Sequence, residues 1–419
     1  MMRPVLTSLL AAALVLGPSC RKSAPAAAVP RDGTATFSED VAFLSAHTPI
    51  EVLADAESGA KVALAPAWQG RVMTSTAGAK EPSFGWIHYA NVEAGIRPEA
   101  ERKGLDRHIH VFGGEERLWL GPEGGQFALF FAKGAPHEFD AWKTPAVIDT
   151  EPFEVVGRSQ NSIRFARSAT LANRAGTTFK VRIERAVQVL NQAAIAQLLE
   201  VPVPADLPTV GYRSTNVLTN AGDQPWTRES GLVSLWMLGM FKHGPEVTIV
   251  VPLAQGPGEP LRSDYFGTPS EDRLRVTANA IFFKADGAFR SKLGIPPTRS
   301  TGIAGSWDPG RGVLTIVRCD RPANAAELPW VRSQWKEHDN PYDGEQIHVY
   351  NDGPAEAGAE QLGPFYEIET SSPALALEPG AAITHVSDTI HFTGASETLD
   401  PIARKVFGVS LKEVETAFK

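Results

Sequence analysis

Two stretches of this chain decide its fold: Trp119-Leu120-Gly121-Pro122-Glu123-Gly124-Gly125-Gln126-Phe127 and Glu367-Ile368-Glu369-Thr370-Ser371-Ser372-Pro373. The first stretch contains one carboxylate and the second two, in each case among aromatic or apolar neighbours, and a hydrophobic core does not require such carboxylates. Glycine and proline flank the glutamate of the first stretch, and a proline closes the second. The two stretches are therefore the first candidates for a functional site.

The composition excludes several classes of protein. The 419 residues include 40 Lys and Arg against 48 Asp and Glu, and 43% of them are hydrophobic. Such a chain is too apolar to be disordered and, at a formal net charge of −8, too acidic for a general nucleic-acid binder. The 37 glycines and 32 prolines favour many short strands joined by turns over a helical bundle.

Short strand candidates separated by Gly, Pro, Asn and Asp recur along the chain. Residues 178–189 contain alternating apolar and polar side chains, which is typical of a strand with one wet face. Residues 247–252 are largely apolar, which predicts a strand buried on both sides. Further strands are predicted at 109–112, 127–131, 280–284 and 313–319. This pattern predicts an all-β protein.

Helical periodicity is confined to short pieces near the two ends, at residues 40–44, 399–406 and 411–418. No linker-like stretch divides the chain after residue 36. The pattern predicts one antiparallel β-sandwich domain over residues 37–419, with short terminal helices.

The N-terminus predicts export. A single Arg3 precedes an apolar run over residues 5–16, and small residues lead to Cys20. The run is shorter than the roughly 20 apolar residues of a membrane-spanning helix. Residues 1–20 are therefore expected to be a signal peptide with a lipobox, or a signal for simple secretion. Residues 21–36, rich in Ala, Pro and Ser, predict a flexible tether. We expect a periplasmic or outer-membrane-anchored protein whose only membrane contact is a lipid at Cys20.

The two stretches quoted above, followed by the Pro379-Gly380 turn, resemble the galactose mutarotase-like superfamily. More closely, the mature chain resembles a family of uncharacterised bacterial secreted proteins and lipoproteins within it. The resemblance implies a β-supersandwich whose concave sheet face binds carbohydrate. Its better-known members are aldose epimerases, in which a C-terminal glutamate is the general base, which implies Glu369 or Glu367 here. The chain departs from those epimerases because residues 195–240 lack their central histidine.

The residues themselves indicate a sugar site. Pyranoses stack their C–H faces on aromatic rings, and their hydroxyls bind carboxylate, amide and guanidinium groups. Glu123 lies beside glycines that allow close backbone approach, and strand alternation places Arg117 on the same side, as an ion pair or as a sugar-binding pair. Glu367 and Glu369 are two apart, so in a strand they share one face. Such a pair has three possible roles: it is solvated or ion-paired, it transfers a proton, or it binds a metal.

The catalytic candidates are Glu369, Glu123 and His88. The candidates for substrate binding are Trp86, Arg117, Trp119, Gln126, Trp142, Trp226, Glu229, Asn351 and Glu367. No metal site or cofactor is predicted, since the chain lacks nucleotide-binding, zincin and hydrolase motifs.

Three functions fit these residues. The first is an exported carbohydrate-active protein with epimerase-like proton transfer, in which Glu369 is the base and His88 or Glu123 the acid. The second is a lipoprotein that binds carbohydrate without turnover. The third is glycoside cleavage by Glu123 together with Glu367 or Glu369.

The lipid anchor can be tested directly. When the full chain is expressed in a Gram-negative bacterium and labelled with an alkyne palmitate, we expect the wild type to be labelled and Cys20→Ser to lose the label. Cys319→Ser is the matched control and should retain it. Equal labelling of wild type and Cys20→Ser would contradict the anchor and leave simple secretion.

Overall fold

The computed structural model describes residues 33–78, 80, 82–354 and 361–419. The predicted signal peptide, Cys20 and residues 21–32 of the predicted tether lie outside the described residues. The described strands are β1 (Glu51–Ala54), β2 (Lys61–Ala65), β3 (Arg71–Thr76), β4 (Arg117–Gly121), β5 (Glu154–Arg158), β6 (Ser162–Ala172), β7 (Thr178–Leu190), β8 (Thr209–Asn220), β9 (Ser234–Lys242), β10 (Thr248–Pro252), β11 (Leu274–Val276), β12 (Ala280–Lys284), β13 (Ser291–Ile295), β14 (Ile303–Asp308), β15 (Val313–Cys319), β16 (Ile347–Asn351), β17 (Phe365–Ser371) and β18 (Ala382–Thr393). The helices are α1 (Phe37–His47), α2 (Tyr89–Ala94), α3 (Gln192–Leu199), α4 (Ser396–Phe407) and α5 (Leu411–Glu415).

The strands form three antiparallel sheets. The large sheet has ten strands in the order β11-β12-β10-β14-β15-β18-β8-β7-β6-β5. The second sheet has five strands in the order β13-β16-β17-β9-β4, and β1, β2 and β3 form a third sheet. The all-β sandwich predicted from the sequence is confirmed, with few and short helices.

The large sheet and the five-stranded sheet share an apolar core. Tyr366 and Ile368 of β17 belong to the same buried cluster as Ile249 and Phe283 of the large sheet. Because side chains alternate along a strand, Glu367 and Glu369 point to the opposite face of the five-stranded sheet. The prediction that these two glutamates share one face, with Tyr366 and Ile368 in the core, is confirmed.

The C-terminal helices cover the outer face of the large sheet. Leu399, Ile402 and Phe407 of α4 pack with Leu314 and Phe392 in one buried cluster. At the other end of the chain, α1 begins with a capping box in which the side chains of Thr36 and Glu39 bind each other's backbone N–H groups. The three predicted terminal helices are therefore confirmed.

Two predicted strands are wrong. Residues 109–112 and 127–131 are buried but irregular, because turns and side chains satisfy their backbone groups. The Asp149 carboxylate accepts from the N–H of His110, and the carbonyl of Pro122 accepts from the N–H of Leu129 at 2.9 Å. These residues are apolar because they are buried in loops beneath a sheet. From sequence alone, a short apolar run in a buried loop cannot be distinguished from a strand.

Truncation of the Ile368 side chain tests whether the two sheets share an apolar core. Replacing this residue, which is 1% exposed, with alanine leaves a cavity between the two sheets. We expect Ile368→Ala to lower the free energy of unfolding by about 2–5 kcal/mol. Val156→Ala on β5 is the control, since Val156 is 44% exposed and its truncation should cost less than about 0.5 kcal/mol. Urea denaturation measures both, and equal losses would contradict this packing.

Candidate functional site

One face of the five-stranded sheet carries charged and aromatic side chains. In the strand register His348 lies opposite Glu369, and both Glu369 and Arg117 lie opposite Leu238. Directly opposed residues of antiparallel strands point to the same side. The charged face is defined here by Arg117, Trp119, Trp236, Lys292, His348, Glu367 and Glu369.

Glu369 is the centre of the charged face. It has no exposed surface, and the Lys292 ammonium lies 2.9 Å from its Oε1 atom. The indole N–H of Trp236 donates to Oε2 at 2.9 Å, and His348 Nδ1 lies 3.8 Å from the same oxygen. Glu369 is thus held by an ammonium and an indole, with a histidine within reach.

Glu367 is paired with Arg117. The guanidinium donates from Nη2 to Glu367 Oε1 at 2.9 Å, and both side chains are almost completely buried. The same guanidinium lies 4.2 Å from the ring centroid of Trp119. Arg117 therefore pairs with Glu367 and not with Glu123, the partner considered from the sequence. The reason is the strand order, because β4 and β17 lie on either side of β9 and bring the two side chains together.

Glu123 lies on residues 122–126, directly after β4, and these residues together with residues 333–338 are called the covering segment. Lys292, Glu369 and Arg117 of the charged face act electrostatically on the Glu123 carboxyl. It is half-buried, and Trp335 Nε1 donates to its Oε1 atom at 3.1 Å. The glycine beside it permits a contact within the chain itself: a Cβ on Gly124 would lie 2.3 Å from the carbonyl oxygen of Gln334. The close approach expected there is made by the 333–334 backbone.

A hydrogen-bonded chain leads from His348 towards the surface. Tyr265 Oη lies 2.9 Å from His348 Nε2 and donates to Glu345 at 3.1 Å. Glu345 also accepts from Arg262 at 3.1 Å, and Arg262 is partly exposed. These contacts fix the imidazole so that its Nδ1 atom faces Glu369.

The pKa values of the three carboxyl groups are shifted in different directions. Burial opposes ionisation of Glu369, but Lys292, His348 and Trp236 outweigh it and lower the pKa of this carboxyl. Burial and the neighbouring charge of Glu369 raise the pKa of Glu367 to about 8 in spite of Arg117. Burial also raises the pKa of Glu123, against the charge of Lys292. These shifts favour the ionised form of Glu369, and they favour the protonated form of Glu367 more than in an ordinary glutamate.

Three buried nitrogen atoms on the charged face lack a hydrogen-bond partner among the described residues. Arg117 Nε, Trp119 Nε1 and His348 Nδ1 are inaccessible to solvent and make no hydrogen bond to any described residue. The first two atoms are donors only. Buried polar atoms are normally hydrogen-bonded, so the Arg117 and Trp119 donors fit a ligand that supplies acceptor atoms.

Trp86 and His88 lie at the edge of this region. The Trp86 ring packs against Phe365, two residues from Glu367 on the same strand, with centroids 4.6 Å apart. His88 caps α2, where its Nδ1 atom accepts from the N–H of Asn91 at 3.2 Å. The described contacts of His88 include Trp86 at 5.5 Å but neither Glu369 nor Glu123.

Of the other predicted residues, Trp142 lies near the charged face and Gln126 is tied to the backbone. Trp142 is buried and packs against Trp335 with centroids 5.7 Å apart. The Gln126 side chain donates to the carbonyl of His338 and accepts from its N–H. Trp142 thus extends the aromatic surroundings, whereas the amide of Gln126 holds the covering loops together.

The last three predicted residues have described contacts elsewhere. Trp226 packs against Phe179 of the large sheet, and Glu229 is exposed on a turn. Asn351 bonds the backbone of the Gly287 turn and of Phe289. The structure does not bring these three side chains into contact with Glu369, Glu367 or Glu123.

Sequence reasoning missed Lys292, His348, Tyr265 and Trp335 as site residues. Lys292 and His348 each stand in a strand beside apolar residues, a pattern shared by many partly exposed strands. Only the register places them next to Glu369. One signal was present: His348 lies in the aromatic and charged segment that leads to Asp352.

Two further features of the described chain bear on the site. Among residues 33–78, 80, 82–354 and 361–419, no group of three or more His, Cys, Asp or Glu side chains is arranged to hold a metal ion. Within the same ranges, no helix combines the length and apolar character that a membrane span requires.

A model for a family of unknown function, DUF6786, matches residues 35–418. The chain belongs to this family. No curated protein matches it. The charged face, the covering segment with Glu123 and the paired glutamates of β17 all lie within the matched residues.

Solved structures with similar folds include Slr1438 from Synechocystis sp. PCC 6803, which is 14% identical over 83% of this chain and 96% of its own, with a TM-score of 0.48. A galactose mutarotase-like protein from Lactobacillus casei ATCC 334 is 10% identical over 82% of this chain and all of its own, with a TM-score of 0.43. A galactose mutarotase related enzyme from Lactobacillus acidophilus is 9% identical over 83% and 98%, with a TM-score of 0.45.

The raised pKa of Glu367 predicts that the stability of the folded protein depends on pH. Its folded pKa of about 8 lies above the ordinary value of 4.5, so the folded state binds more protons than the unfolded state between those values. Stability is therefore lost as the pH rises through this window, by up to about 1 kcal/mol per pH unit from this group.

Glu367→Gln keeps a neutral group of similar shape and removes this titration. We expect its stability relative to the wild type to rise between pH 5 and pH 8, as measured by urea denaturation. Glu378→Gln, at an exposed position, is the control and should follow the wild type. A constant difference between Glu367→Gln and the wild type across this range would show that Glu367 does not titrate there.

Proposed function

We propose that the charged face binds a sugar and that Glu369 acts there as a general base. The observation that carries this proposal is the pair of carboxyl groups in opposite electrostatic settings. Lys292, His348 and Trp236 favour the ionised form of Glu369, whereas burial favours the protonated form of Glu123. Pairs of titratable groups with separated pKa values are suited to acid–base catalysis.

The surroundings of these carboxyl groups suit a pyranose. Trp119 lies 5.4 Å from Trp236, and Trp142 lies 5.7 Å from Trp335, in each case between ring centroids. Such rings offer apolar surfaces for the C–H faces of a sugar. Sugar hydroxyls supply acceptors for Trp119 Nε1 and for Arg117 Nε, and they donate to carboxylates.

The proposed reaction is exchange at the anomeric carbon of an aldose. Glu369 takes the proton of the anomeric hydroxyl, and Glu123 gives a proton to the ring oxygen as the C–O bond of the ring breaks. Closure of the open-chain aldehyde from its other face returns both protons. We prefer Glu123 to His88 as the acid. The charges of Glu369 and Lys292 act on the Glu123 carboxyl, whereas the described contacts of His88 are with Trp86 and Asn91.

Binding without turnover is the second candidate, and a specific observation favours it. Glu369 is engaged by Lys292 and Trp236, and Glu367 is engaged by Arg117. Carboxylates that are already paired must exchange partners before they accept a proton. In this case the charged face holds a sugar through its rings and unpartnered donors.

Export belongs to the same proposal. It rests on the signal-like residues 1–20 and on Cys20, and it would place the sugar site outside the cytoplasm.

Anomeric exchange measured by NMR across common aldoses tests the catalytic proposal. We expect the wild type to accelerate exchange of at least one aldose over buffer, and Glu369→Gln to lose at least about 100-fold of that acceleration, since the base is removed. The exposed Glu378→Gln is the matched control and should retain it.

No acceleration by the wild type would end the epimerase proposal. A glycan array and calorimetry then decide the binding candidate. Retained sugar that is lost in Trp119→Ala supports binding, and an array with no retained sugar contradicts both candidates.

A further inference from the structure

His348 has one ring nitrogen that the contacts within the protein leave without a partner. Its Nδ1 atom makes no hydrogen bond to any described residue, and the side chain is only 3% exposed. Glu369 Oε2 lies 3.8 Å from this atom, which is beyond hydrogen-bonding distance. Because buried polar atoms are normally hydrogen-bonded, Nδ1 marks a position for a polar group of a ligand.

The opposite edge of the imidazole is held in place. Nε2 lies 2.9 Å from Tyr265 Oη, and this hydroxyl donates to the buried Glu345 at 3.1 Å. A rotation of the ring would break the contact with Tyr265. Nδ1 therefore keeps facing Glu369 and does not turn away to find another partner.

The carboxylates on both sides of His348 already have cations of their own. Lys292 lies 2.9 Å from Glu369 Oε1, and Arg262 lies 3.1 Å from Glu345 Oε1. The position at Nδ1 therefore needs a hydrogen bond and no further charge. A hydroxyl both donates and accepts, so it satisfies Nδ1 whichever ring nitrogen carries the proton.

The chemistry of the sugar decides which hydroxyl this is, and the argument rests on the proposed function. In that reaction Glu369 holds the anomeric hydroxyl and Glu123 serves the ring oxygen. The remaining neighbour of the anomeric carbon is the second ring carbon, with its hydroxyl. Because Nδ1 lies beside Glu369, that 2-hydroxyl is the sugar group within its reach.

We propose that His348 binds the 2-hydroxyl of the sugar and thereby determines the substrate class. The substrates are aldoses with a free 2-hydroxyl, and 2-deoxy sugars are rejected. The rejection follows from burial, since a sugar without this hydroxyl leaves Nδ1 enclosed and without a partner.

A sugar reaches these buried atoms only when the covering segment moves. Part of that segment is attached through Asp264, which accepts from Lys336 at 2.9 Å and from Gln334 at 3.1 Å. The side chains of Asp264 and Lys336 are 43% and 54% exposed, and ion pairs exposed in this way contribute little to stability. These contacts therefore offer little resistance to opening at residues 333–338.

Matched pairs of sugars test the inference on the wild-type full chain. Anomeric exchange of D-glucose, D-galactose and D-ribose is compared by NMR with that of their 2-deoxy derivatives, and each rate is corrected for exchange in buffer. We expect acceleration of at least one parent sugar. For that sugar, kcat/KM should be at least about tenfold higher than for its 2-deoxy derivative, because only the parent sugar satisfies Nδ1.

Two variants separate binding of the 2-hydroxyl from a structural role of His348. The amide of an asparagine takes the position of Nδ1, whereas the amide of a glutamine takes that of Nε2 and keeps the contact with Tyr265. We expect His348→Asn to retain part of the preference for the 2-hydroxyl and His348→Gln to reduce it to about threefold or less. The sugar pairs decide the question if neither variant folds.

The outcomes distinguish this inference from the proposed function. If the wild type accelerates none of the three parent sugars, the proposed function is contradicted and this inference with it. If parent and 2-deoxy sugars are accelerated alike, or if His348→Gln keeps the full preference, the role of His348 is overturned while the proposed function stands. An equal loss of preference in both variants contradicts the assignment to Nδ1.

Discussion

The buried ion pair between Lys292 and Glu369 is the interaction on which the candidate site depends. Placing an ammonium and a carboxylate in a protein interior is costly unless each charge has a close partner. The pair spans β13 and β17, with β16 and His348 between them. Burial raises the pKa of Glu367, and the charge of Glu369, which Lys292 favours, raises it further in spite of Arg117. The ion pair thus contributes to the electrostatic setting of the second glutamate.

The five-stranded sheet gives different roles to its two faces. Tyr366 and Ile368 bury one face of β17 against the large sheet, and Glu367 and Glu369 occupy the other. This arrangement lets the sheet keep a fixed register while it carries charges, since the apolar contacts that hold the strands do not involve them. The covering segment with Glu123 and Trp335 then closes over the charges without adding a strand.

Much of the fold could be predicted because its signals are local. The apolar run of β15, the alternation of β7 and the period of α4 each depend on residues within one element. The prediction failed at 109–112 and 127–131, where apolar residues fill irregular loops under the sheet. In a loop, burial gives the same composition as in a strand, but the backbone groups find partners in turns and side chains such as Asp149.

The sequence by itself determined the all-β class, the terminal helices and the shared face of Glu367 and Glu369, because a strand repeats every two residues. It also marked Glu123, Arg117 and Trp119 as candidates. Only the tertiary structure decided which partners these residues have. Arg117 binds Glu367, 250 positions away, and Glu369 binds Lys292 and Trp236 from two other strands. Strand order and register make those contacts, and no local pattern in the chain encodes them.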